Sequence, residues 1–292
     1  MRILLTGASG FLGSHLLERL LDLNHEVSIL KRSFSNIWRI KHIISKVDVY
    51  DIDKEPLENA FKDNKIDAVI HTAADYGRNK SRIADVVQTN LMFSLKLLET
   101  ATFYNTDTFY NTDTLLYKHL NHYTLSKKQS IEWLKFFSDR IKVVNLKIEH
   151  MYGPKDDEKK FVVWLLKQLI NNVKYIDLTA GEQKRDFIYI DDVVNVYMLM
   201  LENSFSFDNF QEYDVGAGKQ IKLKDFIIKA YNIISEKQSL QTKLNFGAVP
   251  YREGEFMEIK ENIEPLFNLG WCPEMSIEEG LNNTINFEME RA

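Results

Sequence analysis

Hydrophobic residues along the chain concentrate in short blocks set apart by longer amphipathic stretches. RILLT (2–6), HEVSIL (25–30), VDVYDI (47–52) and DAVIHTAA (67–74) are the first four blocks. Blocks of this length predict strands. Between them, SHLLERLLDL predicts a helix ending near Asn24, and VVQTNLMFSLKLLETATFYN carries Leu91, Leu95 and Leu98 at helical spacing. Strands alternating with helices predict an α/β protein built on a doubly wound parallel sheet.

The first strand turns into its helix through Gly7-Ala8-Ser9-Gly10-Phe11-Leu12-Gly13. Glycines at such a turn let backbone N–H groups approach a pyrophosphate at the helix N-terminus. A glycine triplet alone is a weak signal, but inside strand–turn–helix and before a second strand it is a strong one. Gly7, Ser9, Gly10, Phe11, Leu12 and Gly13 are therefore candidate cofactor-binding residues. The end of the second strand selects the cofactor, because a carboxylate there holds the NAD ribose and cations accept the NADP 2′-phosphate. The chain has Lys31-Arg32-Ser33 at that point and no acid within the triplet, so NADP (NADPH) is expected. Asp51 and Ile52 end the third strand beside the expected adenine, and Ala73 and Ala74 are small enough for a ribose to lie close.

The six residues FYNTDT occur twice in succession, at 103–108 and 109–114. A strand made of the first copy would follow the helix with no loop, whereas connections of about 2–6 residues are usual. The second copy is therefore expected to be the strand, with Thr112, Asp113 and Thr114 emerging at its C-terminal end, where ligands bind in open α/β sheets. The next helix carries Tyr123 and Lys127 four apart, on one face. A lysine beside a phenol is expected to lower its pKa and suit it to proton exchange with an alcohol or carbonyl oxygen. Thr112 is placed to donate a second hydrogen bond to that oxygen. Tyr50 and Lys54 repeat the spacing in a strand-to-loop segment and are assigned no chemistry.

A net charge of −5 over 292 residues gives no reason to expect nucleic acid or an anionic membrane as a partner. One cysteine, Cys272, excludes an internal disulfide and an all-cysteine metal site, which fits a reducing, cytoplasmic compartment. No apolar stretch has the length of a membrane span or a secretory signal. The seven histidines show no metal-ligand spacing, and no metal is expected.

With these residues in view, the chain resembles the extended short-chain dehydrogenase/reductase family, the NAD(P)-dependent sugar-nucleotide epimerases, dehydratases and reductases. TGASGFLGSHL, Tyr123-Lys127, Tyr152-Gly153-Pro154, GEQKRDFIYIDDVV, YDVGAGK and LGWCPEMSIEEGL follow in family order and cover nearly the whole length. The resemblance implies a Rossmann domain over 1–153 and a smaller, mainly substrate-binding α/β domain over 154–292, with a discontinuous boundary. It implies Thr112, Tyr123 and Lys127 as the catalytic set, with Tyr123 and Lys127 also touching the cofactor. It implies Arg185 and Arg252 at the substrate diphosphate, and a homodimer formed through two helices. Asp113 is read as an auxiliary substrate contact. Asp191-Asp192 is read as helix capping and scaffolding, VGAGK as a turn, and His15 and His71 as packed residues.

The chain also departs from the family pattern. Thr112 and Tyr123 are only eleven residues apart, so the loop that shapes the hexose pocket in most members is short here. Thr114 replaces the glutamate that serves 4,6-dehydratases as base, which argues against dehydration. Lys147 stands where arginine is common. The expected function is NADPH-dependent reduction at C4 of a nucleotide-activated 4-keto-(di)deoxyhexose, such as a CDP-4-keto-3,6-dideoxyhexose. The alternatives are a sugar-nucleotide 4-epimerase and a non-catalytic NADP-binding protein.

Overall fold

The computed structural model describes residues 1–78, 81–206 and 208–291. The chain divides into two compact units, Met1–Ile148 with Val194–Val215, and Glu149–Val193 with Gly216–Ala292. A single break after residue 153 would leave out the segment 194–215, which returns to the first unit because its strand adds to the edge of that unit's sheet.

In the first unit, β1 (Arg2–Thr6), β2 (Glu26–Lys31), β3 (Asp48–Asp51), β4 (Ala68–His71), β5 (Thr108–Thr114), β6 (Lys142–Ile148) and β10 (Phe210–Val215) form one sheet. Its order is β10-β6-β5-β4-β1-β2-β3, and every pairing is parallel. The order reverses between β1 and β4, the switch point outside which doubly wound sheets bind ligands. The unit's helices are α1 (Phe11–Asp22), α2 (Asn59–Lys62), α3 (Ile83–Val87), α4 (Phe93–Phe103) and α5 (His122–Phe137). A single π-helical turn, Gln88–Met92, joins α3 to α4. One apolar cluster ties Leu4, Leu30, Val69, Phe109 and Val143 of the sheet to Leu97, Leu98, Leu134 and Phe137 of α4 and α5.

Helix ends follow local chemistry. Asn24 adopts φ 58°, and the N–H of His25 returns to the Leu20 carbonyl at 3.0 Å, closing α1 where the sequence places its end. The two copies of FYNTDT separate for the same reason. Asn105 of the first copy takes φ 56°, and the Thr106 N–H returns to the Ala101 carbonyl at 2.9 Å, ending α4. The second copy is β5, as expected.

In the second unit, β7 (His150–Tyr152), β9 (Lys184–Tyr189) and β11 (Gln220–Lys222) form a sheet of order β11-β9-β7. A separate pair joins β8 (Tyr175–Leu178) to β12 (Lys243–Phe246). The helices are α6 (Phe161–Ile170), α8 (Leu223–Lys237), α9 (Glu264–Asn268) and α10 (Ile277–Met289), while α7 (Ile190–Glu202) starts in this unit and ends in the first. Phe187 of β9 stacks on Phe226 of α8 with ring centroids 3.8 Å apart. Asp186 accepts from the N–H groups of Ala217 and Gly218 at 3.0 and 2.6 Å, so VGAGK is a turn held by that carboxylate. Asp192 accepts from Glu274 and Met275 N–H at 2.9 and 3.2 Å, scaffolding a loop from the first turn of α7. Among the described residues, no helix is long and apolar enough to cross a membrane.

A Cβ at Gly13 would lie 2.1 Å from the Gly7 carbonyl oxygen, so α1 can approach the β1 turn this closely only with glycine there. Gly13→Ala is expected to lower the melting temperature by about 5 °C or more, measured by circular dichroism.

Candidate active site

The glycine turn is built for close backbone approach. Gly7 has φ +71°, and a Cβ there would lie 2.6 Å from Thr72 Oγ1 and 2.7 Å from the Ala73 nitrogen. Thr72 donates to the Thr6 carbonyl at 2.8 Å, and the Ala73 N–H donates to Thr6 Oγ1 at 3.3 Å, which fixes the residues after β4 against the turn. Gly10 caps α1 with no side-chain bond, and no acid lies in the first turn. A bare helix N-terminus of this kind is suited to an anion, so the turn fits the pyrophosphate of a dinucleotide. Leu12 is buried, and Phe11 makes an edge contact with His15, their ring centroids 5.4 Å apart.

The cation cluster beyond β2 differs from its sequence reading in one respect. The register sets Lys31 beside Asp51 of β3, and Lys31 Nζ donates to the Asp51 carboxylate at 2.9 Å. Arg32 Nε donates to Asp53 at 2.6 Å, and the Ser33 hydroxyl donates to Asp51. The triplet contains no acid, but the end of β3 brings Asp51 and the turn after it Asp53. Lys31 holds the Asp51 carboxyl below its usual value, and the Ile52 N–H donates to the Lys31 carbonyl at 3.0 Å. Arg39, which sequence reasoning missed, stacks on Trp38 and donates to the Ser9 carbonyl at 3.2 Å, adding a cation at the glycine turn.

Tyr123 and Lys127 lie on α5, whose start is fixed by a capping box between Asn121 and Thr124. Lys127 is 2 % exposed and makes no hydrogen bond or ion pair among the described residues. Burial pushes its ammonium down to about 8, with Asp113 raising it and Lys128 lowering it. Tyr123 lies 4.8 Å from Tyr76, ring centroid to centroid. The expected lowering of the Tyr123 pKa is not found. Burial holds the phenol well above its usual value, reinforced by Tyr76 and Asp113, and only Arg78 opposes. Desolvation disfavours the phenolate more than nearby cations stabilise it.

Three more polar groups lie on β5 and the π-helical turn. Asp113 has a fully buried side chain that accepts from Lys128 Nζ at 2.7 Å. The same ammonium donates to the Thr114 carbonyl at 2.5 Å. This places Asp113 inside the unit, taken by a cation, where the sequence expected a substrate contact. Thr112 Oγ1 lies 2.6 Å from the hydroxyl of Tyr197, a fully buried residue of α7 absent from the sequence candidates. Asn90, in the π-helical turn, accepts from Asp75 N–H and donates to the Asp75 carbonyl and to Ser126 of α5, at 2.8, 2.8 and 3.0 Å. The π turn at Asn90 had no sequence signature. His71 is buried with Nδ1 2.8 Å from Thr6 Oγ1 and Nε2 without a partner, and burial lowers its pKa to about 3. The Tyr50 phenol donates to Asp63 at 3.2 Å, a structural bond.

The arginines of the second unit are placed differently from one another. Arg185, on β9, is largely buried and paired with Glu255. Arg252 lies exposed in the segment before α9, and its carbonyl accepts from the Glu255 N–H at 3.1 Å. Lys147, in the first unit, bridges Asp214 and Glu212 of β10 at 2.6 and 3.0 Å. Among the described residues, no group of three or more histidine, cysteine, aspartate or glutamate side chains is arranged for a metal ion.

Two tests follow from this geometry. Thr112→Val is expected to lower kcat about 100-fold, as loss of one donor to a reacting oxygen does, while Thr106→Val leaves it within twofold. Steady-state kinetics decides, and the reverse pattern overturns the assignment of the second copy. The folded pKa of Lys127 lies below its usual 10.5, so between about 8 and 10.5 the unfolded chain binds a proton the folded chain does not. Stability from this group therefore rises with pH across that window. The kcat/KM for the cofactor is expected to fall above about pH 8 as the ammonium is lost, and Lys127→Arg to move that limb upward.

Residues 3–216 match the model of the NAD dependent epimerase/dehydratase family. The chain is 34 % identical to a CDP-abequose synthase of Salmonella muenchen over 98 % of both chains, and 32 % identical to that of Salmonella typhimurium over 97 % of both. Its fold matches a UDP-glucose 4-epimerase of Thermotoga maritima with a TM-score of 0.86, at 23 % identity, covering 100 % of this chain and 99 % of the other. These matches, with the glycine turn and the Tyr123–Lys127 pair, place the chain in the NAD dependent epimerase/dehydratase family.

Proposed function

We propose that the protein is an NADPH-dependent reductase acting on the C4 ketone of a nucleotide-activated deoxyhexose, with a CDP-4-keto-3,6-dideoxyhexose as substrate. The observation that carries this reading is Lys127, a buried ammonium with no hydrogen bond or ion pair among the described residues, four residues from a tyrosine whose phenol is pushed toward its protonated form. An unpaired buried charge is costly and persists where a ligand completes its contacts. The two CDP-abequose synthases, similar over nearly their full length, support the substrate class.

A nicotinamide dinucleotide, when bound, supplies the hydride. Gly7, Ser9, Gly10, Phe11, Leu12 and Gly13 would hold its pyrophosphate, Asp51 and Ile52 its adenine, and Ala73, Ala74, Tyr123 and Lys127 its nicotinamide half. Lys31, Arg32 and Ser33 are the groups for a 2′-phosphate, which would exchange with Asp53 on the Arg32 guanidinium. Tyr123 gives its proton to the C4 oxygen, and Thr112 donates a hydrogen bond to the same oxygen. The raised Tyr123 pKa suits this direction, because the phenol stays protonated until the oxygen develops charge. Arg185 and Arg252 bind the diphosphate, with Arg185 released from Glu255. Asp113 is neutralised by Lys128, which removes it as a dehydratase-type acid and counts, with Thr114, against dehydration. A cytoplasmic homodimer through α4 and α5 completes the reading, consistent with exposed Phe103, Trp133 and Phe136 on those helices.

Oxidation of NADPH is expected with one member of a panel of 4-keto-6-deoxy and 4-keto-3,6-dideoxy sugar nucleotides, and much weaker oxidation of NADH. Interconversion of sugar nucleotides without net cofactor use would replace the reductase by a 4-epimerase. No turnover of either kind, with cofactor binding intact, would leave a binding protein.

A further inference from the structure

We propose that Tyr197 is a positioning residue for the reaction, its buried hydroxyl donating to Thr112 Oγ1 and so committing the Thr112 proton to the substrate oxygen. The inference rests on Thr112 serving the C4 oxygen, and it adds what makes that hydroxyl a donor.

A threonine or tyrosine hydroxyl has one proton to give and lone pairs to receive. Thr112 Oγ1 and Tyr197 OH are 2.6 Å apart, and neither hydroxyl has another hydrogen-bond partner among the described residues. One of the two must therefore donate to the other, and the remaining proton must go elsewhere. Tyr197 is 0 % exposed, in a helix packed on the sheet, whereas Thr112 is partly exposed near the end of β5. If Thr112 donated, the Tyr197 proton would be buried with no acceptor, at the full cost of an unsatisfied donor. If Tyr197 donates, both groups are satisfied within the protein except for the Thr112 proton, which belongs to the partly exposed residue. The lower-energy arrangement thus leaves Thr112 with a proton for a ligand acceptor, here a ketone oxygen. A valine-like position at 197 would let the Thr112 hydroxyl rotate freely and lose that bias.

The same strand shows why the bias has to come from α7. Along β5, side chains alternate between faces, and Asn111 and Asp113 point to the side of Asn145 and Lys128. Tyr110 shares the Thr112 side and donates to the Met200 carbonyl of α7 at 3.1 Å. Two successive side chains on this face of β5, Tyr110 and Thr112, are therefore both engaged by α7.

The test is a double-mutant cycle on whichever turnover the enzyme catalyses, since reduction and epimerisation both place a C4 oxygen at Thr112. Tyr197→Phe is expected to lower kcat about tenfold, the equivalent of one neutral hydrogen bond. The KM for the sugar nucleotide and the NADPH dissociation constant, read by fluorescence, are expected to stay within twofold. In a Thr112→Val background, Tyr197→Phe is expected to cause no further loss. In a Thr112→Ser background, which keeps the accepting oxygen, the tenfold loss is expected to persist. Melting curves of all variants accompany the kinetics. Full activity of Tyr197→Phe, or losses that multiply in the Thr112→Val background, overturns the positioning role. Full activity of Thr112→Val, or no turnover by the wild-type chain, removes the reading of Thr112 itself and the inference with it.

Discussion

The ion pair between Asp113 and Lys128 is the interaction on which the rest of the site depends. The Asp113 side chain is entirely covered, with Lys128 Nζ at 2.7 Å, and one of its oxygens has no partner. Lys127, the next residue, is buried as well. Two adjacent lysines in the second turn of a helix packed on a sheet would carry a desolvation cost of several kcal/mol each without a counter-charge. Asp113 supplies that charge from the strand below, raising the Lys127 pKa against burial while neutralising Lys128 outright. Its position on β5 therefore anchors α5 to the strand through Lys128. The polar layer continues sideways, with Asn111 donating to Asn145, Asn145 donating to Glu212, and Lys147 bridging Glu212 and Asp214. Lys147 thus ties β10 to the sheet, a role that explains a cation at this place whether it is lysine or arginine.

The electrostatics favour one direction of proton transfer. Burial raises the Tyr123 phenol and lowers the Lys127 ammonium, so each group is pushed toward its neutral form. A neutral phenol is a proton donor, and a reduction needs a donor at the oxygen as charge develops there. A lysine near 8 can be charged at neutral pH yet gains strongly from any ligand hydroxyl that solvates it. The cofactor end works by a different balance. Lys31 and Arg32 are matched by Asp51 at the end of β3 and Asp53 just after it, so the bare protein presents compensated charges.

Much of the fold was legible in the sequence. Short strand-like blocks with helices between them specify a parallel sheet, and the glycine spacing specifies a turn whose backbone closely approaches its neighbours. Tyr123 and Lys127 were legible because a helix maps four-residue spacing onto one face. Tyr197, Asn90 and Arg39 were not, because each acts across a sequence separation that only packing closes. Tyr197 reaches a residue 85 positions away, Asn90 acts from a π turn, and Arg39 folds back on Ser9. The carboxylates facing Lys31 and Arg32 were equally hidden, since the register of β2 on β3 brings them there.

The duplicated hexapeptide marks the limit of local information. Phe103 is 77 % exposed and Phe109 fully buried; Asn105 ends a helix in the left-handed region, while Asn111 is buried in a strand and donates to Asn145. Identical residues took opposite states because helix α4 and the loop requirement claimed the first copy and the sheet claimed the second. By itself the sequence determined the alternation of strands and helices, the glycine turn and the pairing of a tyrosine with a lysine, all of which follow from short-range geometry. Tertiary structure decided which charges are paired, which hydroxyls meet and which tyrosine is held toward its protonated form, because desolvation and hydrogen-bond satisfaction depend on neighbours far along the chain.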